Sequence, residues 1–164
     1  MRVTHGMLAA GAAAILAVPA VAALVDRKPP WFGSIAAGKA RMRSGPGRTY
    51  PATWLYQRAD LPVRVLAGFE KGQWLKVEDP SGTQGWMLGS LVSERRTAIV
   101  TPGEPLEMRE GPGPGTRVSW RAEAGVVGRL SKCGRGWCWF DVKGRGGFVD
   151  ATRLWGVGPG EEFS

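Results

Sequence analysis

The sequence predicts an all-β protein: two small tandem β-barrels of five short strands each, behind an N-terminal export signal. Three observations carry this expectation. Turn formers are dense, with twenty-five Gly and twelve Pro in 164 residues, and they separate short apolar runs in the manner of tight β-turns. A set of motifs occurs twice in the same order. The first 25 residues stand apart as an almost unbroken apolar stretch.

That stretch comes first. Arg2 gives a basic start, and Met7–Val25 holds only apolar residues, Gly and Pro19. Ala20-Val21-Ala22 places small residues where a signal peptidase cuts. The expectation is a signal peptide over 1–22, cleaved near Ala22 or Ala23, with an uncleaved anchor as the alternative. After cleavage no stable membrane span is expected, and the periplasm or the exterior is the expected location. Residues 23–33 read as a linker.

The first module is expected over 34–95 and the second over 96–157. Arg41-Met42-Arg43-Ser44-Gly45-Pro46-Gly47 returns as Glu107-Met108-Arg109-Glu110-Gly111-Pro112-Gly113. Trp74-Leu75-Lys76-Val77 is matched to Trp139-Phe140-Asp141-Val142, and Gly85-Trp86-Met87 to Gly147-Phe148-Val149. The Met-Arg segment reads as a strand ending in a turn whose glycines supply positive φ. The Trp segment reads as a central strand after a hairpin tip. The Gly-aromatic segment is the next strand, its Gly permitting close backbone approach. Trp74, Trp86, Trp139 and Phe148 are the expected core aromatics. The connector Ser93–Arg95 is too short for independent tumbling, so the modules should dock, with Trp120 or Trp155 at the contact. Residues 158–164 read as a flexible tail.

These motifs resemble the bacterial SH3 family. The spacing, with Cys133…Trp137-Cys138 and the ending Leu154-Trp155-Gly156-Val157, is similar to proteobacterial SH3-like proteins with two such repeats, over about Ser34–Val157. The resemblance implies SH3-like barrels acting as a binding module. Such modules are often associated with the cell wall and often attached to a separate catalytic domain, for which this chain has no room.

Catalytic chemistry is hard to find. The single histidine, His5, falls in the expected signal segment. The mature chain would then lack the imidazole that Ser-His-Asp and Cys-His hydrolases and His-bearing zinc sites need. No enzyme activity, metal or cofactor is expected. Cys133 and Cys138 flank a hairpin tip, and in an oxidising compartment they are expected to form a disulfide, the alternative being two buried thiols. Gly111-Pro112-Gly113-Pro114-Gly115 is a stiff turn, since prolines have no N–H to offer a phosphate.

Binding remains. The mature chain would keep 21 Lys+Arg against 14 acids, a net +7, which favours anionic partners. Export points away from nucleic acid toward a cell-wall peptide, with an envelope protein docked by an adaptor as the alternative; a monomer is expected. Arg48–Tyr56 carries three aromatics beside Arg41, Arg43 and Arg48. The candidate ligand contacts are Arg43, Tyr50, Trp54 and Tyr56, with core duty the competing role for Trp54 and Tyr56.

Overall fold

A computed structural model describes residues 28–164. The expected signal segment lies outside them. The first module comprises β1 (Trp31–Ile35), β2 (Ala40–Arg43), β3 (Ala52–Tyr56), β4 (Pro62–Phe69), β5 (Trp74–Glu78), β6 (Gln84–Leu88) and β7 (Val92–Ser93). The second comprises β8 (Thr97–Val100), β9 (Leu106–Arg109), β10 (Val118–Ala122), β11 (Val127–Gly134), β12 (Trp137–Val142), β13 (Arg145–Asp150) and β14 (Leu154–Trp155). β1 begins inside the segment expected to be linker. Each module has seven strands rather than five; the additional ones are the β2-paired strand β3 (β10) and the two-residue β7 (β14).

The strand orders β3-β2-β6-β5-β4-β1-β7 and β10-β9-β13-β12-β11-β8-β14 are one topology used twice. Chain order forces each sheet to curl. β6 passes through a 3-10 turn at Gly89–Leu91 into β7, which pairs with β1 at the far end of the order. Tyr56 from one end and Val92 from the other therefore share a single apolar core. A curled sheet leaves little open edge, which suits modules this small.

Pairing registers fix which residues correspond. Arg43 faces Trp86, and Arg109 faces Phe148. Val77 pairs with Gly85, and Phe140 with Gly147. Trp74 therefore corresponds to Trp137, and Leu75 to Cys138. The expected match of Trp74 to Trp139 is shifted by two residues. The cause is the hairpin tip: four residues separate Phe69 from its partner Trp74, but only two separate Gly134 from Trp137.

The same alternation corrects the expected core. Side chains along a strand alternate faces, and Leu75, Val77 and Met87 point inward, with Cys138, Phe140 and Val149 as their counterparts. Trp86, Trp139 and Phe148 sit half-buried on the outer face, where Trp139 and Phe148 meet edge-to-face with ring centroids 5.2 Å apart. Trp74 is buried, yet it too lies on the outer face, apart from the apolar cluster.

The two cores reach similar packing by exchanging volume between paired positions. Ala40 pairs with Tyr56 in the first module, and Leu106 with Ala122 in the second. Val63 and Val77 become Gly128 and Phe140, and a Cβ on Gly128 would lie 2.6 Å from the Phe140 ring. Gly85 serves as expected for close approach, since a Cβ there would strike Met42 at 2.3 Å. In the Gly-Pro-Gly turns only Gly113 has positive φ. Gly45 instead leaves room for the Tyr50 ring, which a Cβ would meet at 2.4 Å.

The modules dock through polar and aromatic contacts. Phe32 meets Trp155 edge-to-face at 5.3 Å; Trp120 takes no part in that contact and lies under the Arg145 guanidinium, 4.9 Å from its ring. Asp60 accepts from Arg95 at 2.9 Å and from Arg129 at 3.4 Å, bridging the modules. Arg58 donates to the Gly125 carbonyl at 3.3 Å. Arg96, immediately before β8, binds both oxygens of Glu161 and stacks 4.5 Å from the Phe163 ring. Residues 158–164 are thereby held against the second module rather than left loose.

Candidate functional site

The outer face of β2, β3, β5 and β6 forms a concave site of about 360 Å³. Arg41 on β2 pairs with Leu55 on β3, and Leu88 on β6 pairs with Trp74 on β5. These four side chains line it together with Leu91, Lys39, Arg43 and Arg48. All the lining charges are positive. Among the described residues, Lys39, Arg41, Arg43 and Arg48 form no ion pair with an acidic side chain. Four like charges converging on an apolar floor concentrate positive potential there.

Arg43 also holds the site's shape. Its Nη1 donates to the carbonyls of Tyr50 at 2.6 Å and Arg48 at 3.2 Å, fixing the β2–β3 loop. Arg109 does the same in the second module through the Thr116 carbonyl.

The expected contacts divide. Arg43 lines the groove. Tyr50 is 46 % exposed but stacks over Gly45 outside the lining. Trp54 pairs with Met42, so it lies on the other face of β3 from Leu55; it overhangs the edge of the core and is 57 % exposed. Tyr56 is not a contact at all. It is buried and donates its hydroxyl to Asp79 at 2.8 Å. Burial, then the hydrogen bond and charge of Asp79, push its pKa well above the ordinary phenol value. Sequence reasoning missed Lys39, placed Trp74 in the core, and named Arg41 and Arg48 only as neighbours of the aromatic segment. The signal for three of the cations is their alternation at 39, 41 and 43, from just before β2 into it.

The second module has the same groove, about 760 Å³ in volume, with different residues. Glu107 stands at the place of Arg41, Arg121 at that of Leu55, and Asp150 at that of Leu88. Pro105 and Pro114 replace Lys39 and Arg48, and Arg153 replaces Leu91. This groove neutralises itself. Glu107 pairs with Arg109 and, at 3.3 Å, with Arg121. Asp150 accepts from the Thr152 amide at 2.9 Å, and Arg153 donates to the Glu104 carbonyl at 2.6 Å. Among the described residues there is no cluster of His, Cys, Asp and Glu able to hold a metal ion. None of the helices there is long and apolar enough to cross a membrane. The Cys133–Cys138 disulfide is formed, and it spans directly paired positions of β11 and β12.

The family model described as bacterial SH3 domain matches twice, at residues 36–94 and 102–156. The chain belongs to that family. A putative N-acetylmuramoyl-L-alanine amidase of Bacillus subtilis is 27 % identical over 127 residues, which are 71 % of this chain and 24 % of that protein. The SH3 chain thus spans about a quarter of this curated relative. NlpC2 of Trichomonas vaginalis is 12 % identical, with 79 % of this chain and 49 % of that one covered and a TM-score of 0.35. An NlpC/P60 family protein of Bacillus cereus is 10 % identical, with coverage of 76 % and 55 % and a TM-score of 0.34. Both solved structures are too distant for any detail of their sites to be carried onto this SH3 pair.

Proposed function

We propose that this protein is an exported, non-enzymatic SH3 module that binds peptidoglycan or another anionic peptide of the cell envelope in the groove of its first module. The observation that carries this reading is the groove itself: four cations, without acidic partners among the described residues, around Trp74, Leu55, Leu88 and Leu91. Carboxylates suit the cations, and short aliphatic side chains suit the floor. Export is supported by the apolar segment before Val25 and by the disulfide, a bond that persists in oxidising compartments. Binding rather than catalysis is supported by the location of the only histidine at position 5. The partial likeness to a putative cell-wall amidase agrees with a wall ligand.

Cosedimentation of the whole protein with purified sacculi tests the reading. Wild-type protein should pellet in low salt and release as ionic strength rises. Replacing Arg41 and Arg48 together by Ala should weaken binding by at least about tenfold. Pelleting that ignores both salt and these substitutions would count against the groove.

A further inference from the structure

The two grooves are the same piece of fold with opposite electrostatic solutions, and the second shows what the first lacks. In the second module the Glu107 carboxylate reaches Arg109 Nη2 with one oxygen and Arg121 Nη2 with the other. Arg109 meanwhile keeps its Nη1 on the β9–β10 loop. In the first module Arg43 stands in the place of Arg109 and uses its Nη1 in the same way. The carboxylate is absent there, because Arg41 occupies the position of Glu107, and Arg41 adds another cation.

We infer that Glu107 is a built-in substitute for ligand, and that the first groove takes a free ligand carboxylate against Arg43 in the position Glu107 holds against Arg109. This rests on the proposed reading of that groove and narrows its ligand. The second groove balances three arginines, Arg109, Arg121 and Arg153, against three acids, Glu104, Glu107 and Asp150. Among the described residues the first is lined by four cations and no acid. A ligand with a single negative charge would leave most of that charge uncompensated. The chemical class that fits is a short peptide bearing two or more free carboxylates and small apolar side chains. In a peptidoglycan this describes a stem peptide whose carboxylates are neither amidated nor consumed in cross-links.

Two measurements on the full exported protein test this. The first is calorimetric titration with the synthetic stem tetrapeptide L-Ala-γ-D-Glu-meso-diaminopimelate-D-Ala, and with the same peptide carrying amidated carboxylates. The acid form should bind at one site per chain, and the amidated form at least about tenfold more weakly. The second compares Arg41→Glu with Lys39→Glu. The two substitutions change the charge of the groove equally, but only Arg41→Glu installs a carboxylate where Glu107 stands. It should abolish binding of the acid peptide, with Lys39→Glu retaining a measurable, weakened site. Folding of both variants is checked by circular dichroism.

Equal binding of acid and amidated peptides would overturn the inference and leave the groove reading intact. So would equal losses in the two folded variants, because charge alone would then explain them. Binding of neither peptide would also overturn the inference, and binding of neither together with salt-insensitive pelleting on sacculi would overturn the groove reading as well.

Discussion

Tyr56 and Asp79 meet inside the first core, the phenol hydroxyl donating to the carboxylate at 2.8 Å. The second module has no such pair, because Ala122 stands for Tyr56 and Val142 for Asp79. Asp79 in turn accepts from the amides of Ser81 and Thr83, both at 2.9 Å. The tyrosine therefore ties β3 to the β5–β6 turn. Tyr56→Phe should lower unfolding free energy by about 1.5–3 kcal/mol, the range for a hydrogen bond to a charged group. Urea unfolding measures it.

The same pair sets an alkaline limit. The folded phenol has a raised pKa, so its contribution is complete below the ordinary value of 10.0 and is lost as pH rises above that value. Wild-type stability should fall above pH 10 more steeply than that of Tyr56→Phe. Parallel slopes in denaturation series at pH 9 to 11 would remove Tyr56 from the explanation.

Gly128 exists for the Phe140 ring. Gly128→Ala should cost about 1–3 kcal/mol through overpacking, while adding Phe140→Val should recover part of that loss, since the first module uses Val at both places. A double-mutant cycle reads the coupling directly. Additive losses would mean that the two positions do not share the space.

Asp60 links the modules through Arg95 and Arg129. Burial opposes ionisation, but the hydrogen bonds and charges of the two guanidinium groups outweigh it and lower the pKa below 3.8. For a lowered carboxylate pKa the contribution is present above the ordinary value and is lost as pH falls through the folded one. Asp60→Asn should cost about 0.5–1 kcal/mol at pH 7, as expected of partly exposed pairs. The difference from wild type should vanish at pH values below the folded pKa. Calorimetry at several pH values follows it, together with any splitting of one transition into two.

Removing the disulfide should cost about 2 kcal/mol, the entropy expected for so short a closed loop. The loss should be confined to the second module, where Cys138 is completely buried in the core. Hydrogen exchange in Cys133→Ser/Cys138→Ser should rise in β11 and β12 and leave β4 and β5 unchanged.

Much of the fold was legible because periodic features carried it. Met42 and Met108, Gly85 and Gly147, and the hairpin tips lie where the repeated motifs put them. The Trp match failed for a physical reason: Trp137 and Trp139 lie two apart on one face, so alternation cannot choose between them, and only the loop length does. Tyr56 was misplaced because its burial depends on Ala40 opposite, a cross-strand fact invisible along the chain. Trp54 shares the inward face of Tyr56 on β3, yet only Tyr56 is buried, a difference that alternation along the strand does not signal. The groove escaped notice because its members come from four strands and a loop. Its cations on β2 were visible, but nothing in one dimension places Trp74 beneath them.

The held C-terminal segment has a consequence of its own. β8 pairs with β11 only from Val127 to Arg129, and farther along, the outward backbone of β11 meets Phe163 instead. The Cys133 amide donates to the Phe163 carbonyl at 2.8 Å, and the Phe163 amide returns a bond at 3.0 Å. A strand with uncovered amides and carbonyls is a template on which another chain can extend the sheet. The last residues act as a sheath over that template. Stripping them away would expose a sticky rim, and the cost would appear as self-association in concentrated solution before any loss of the fold.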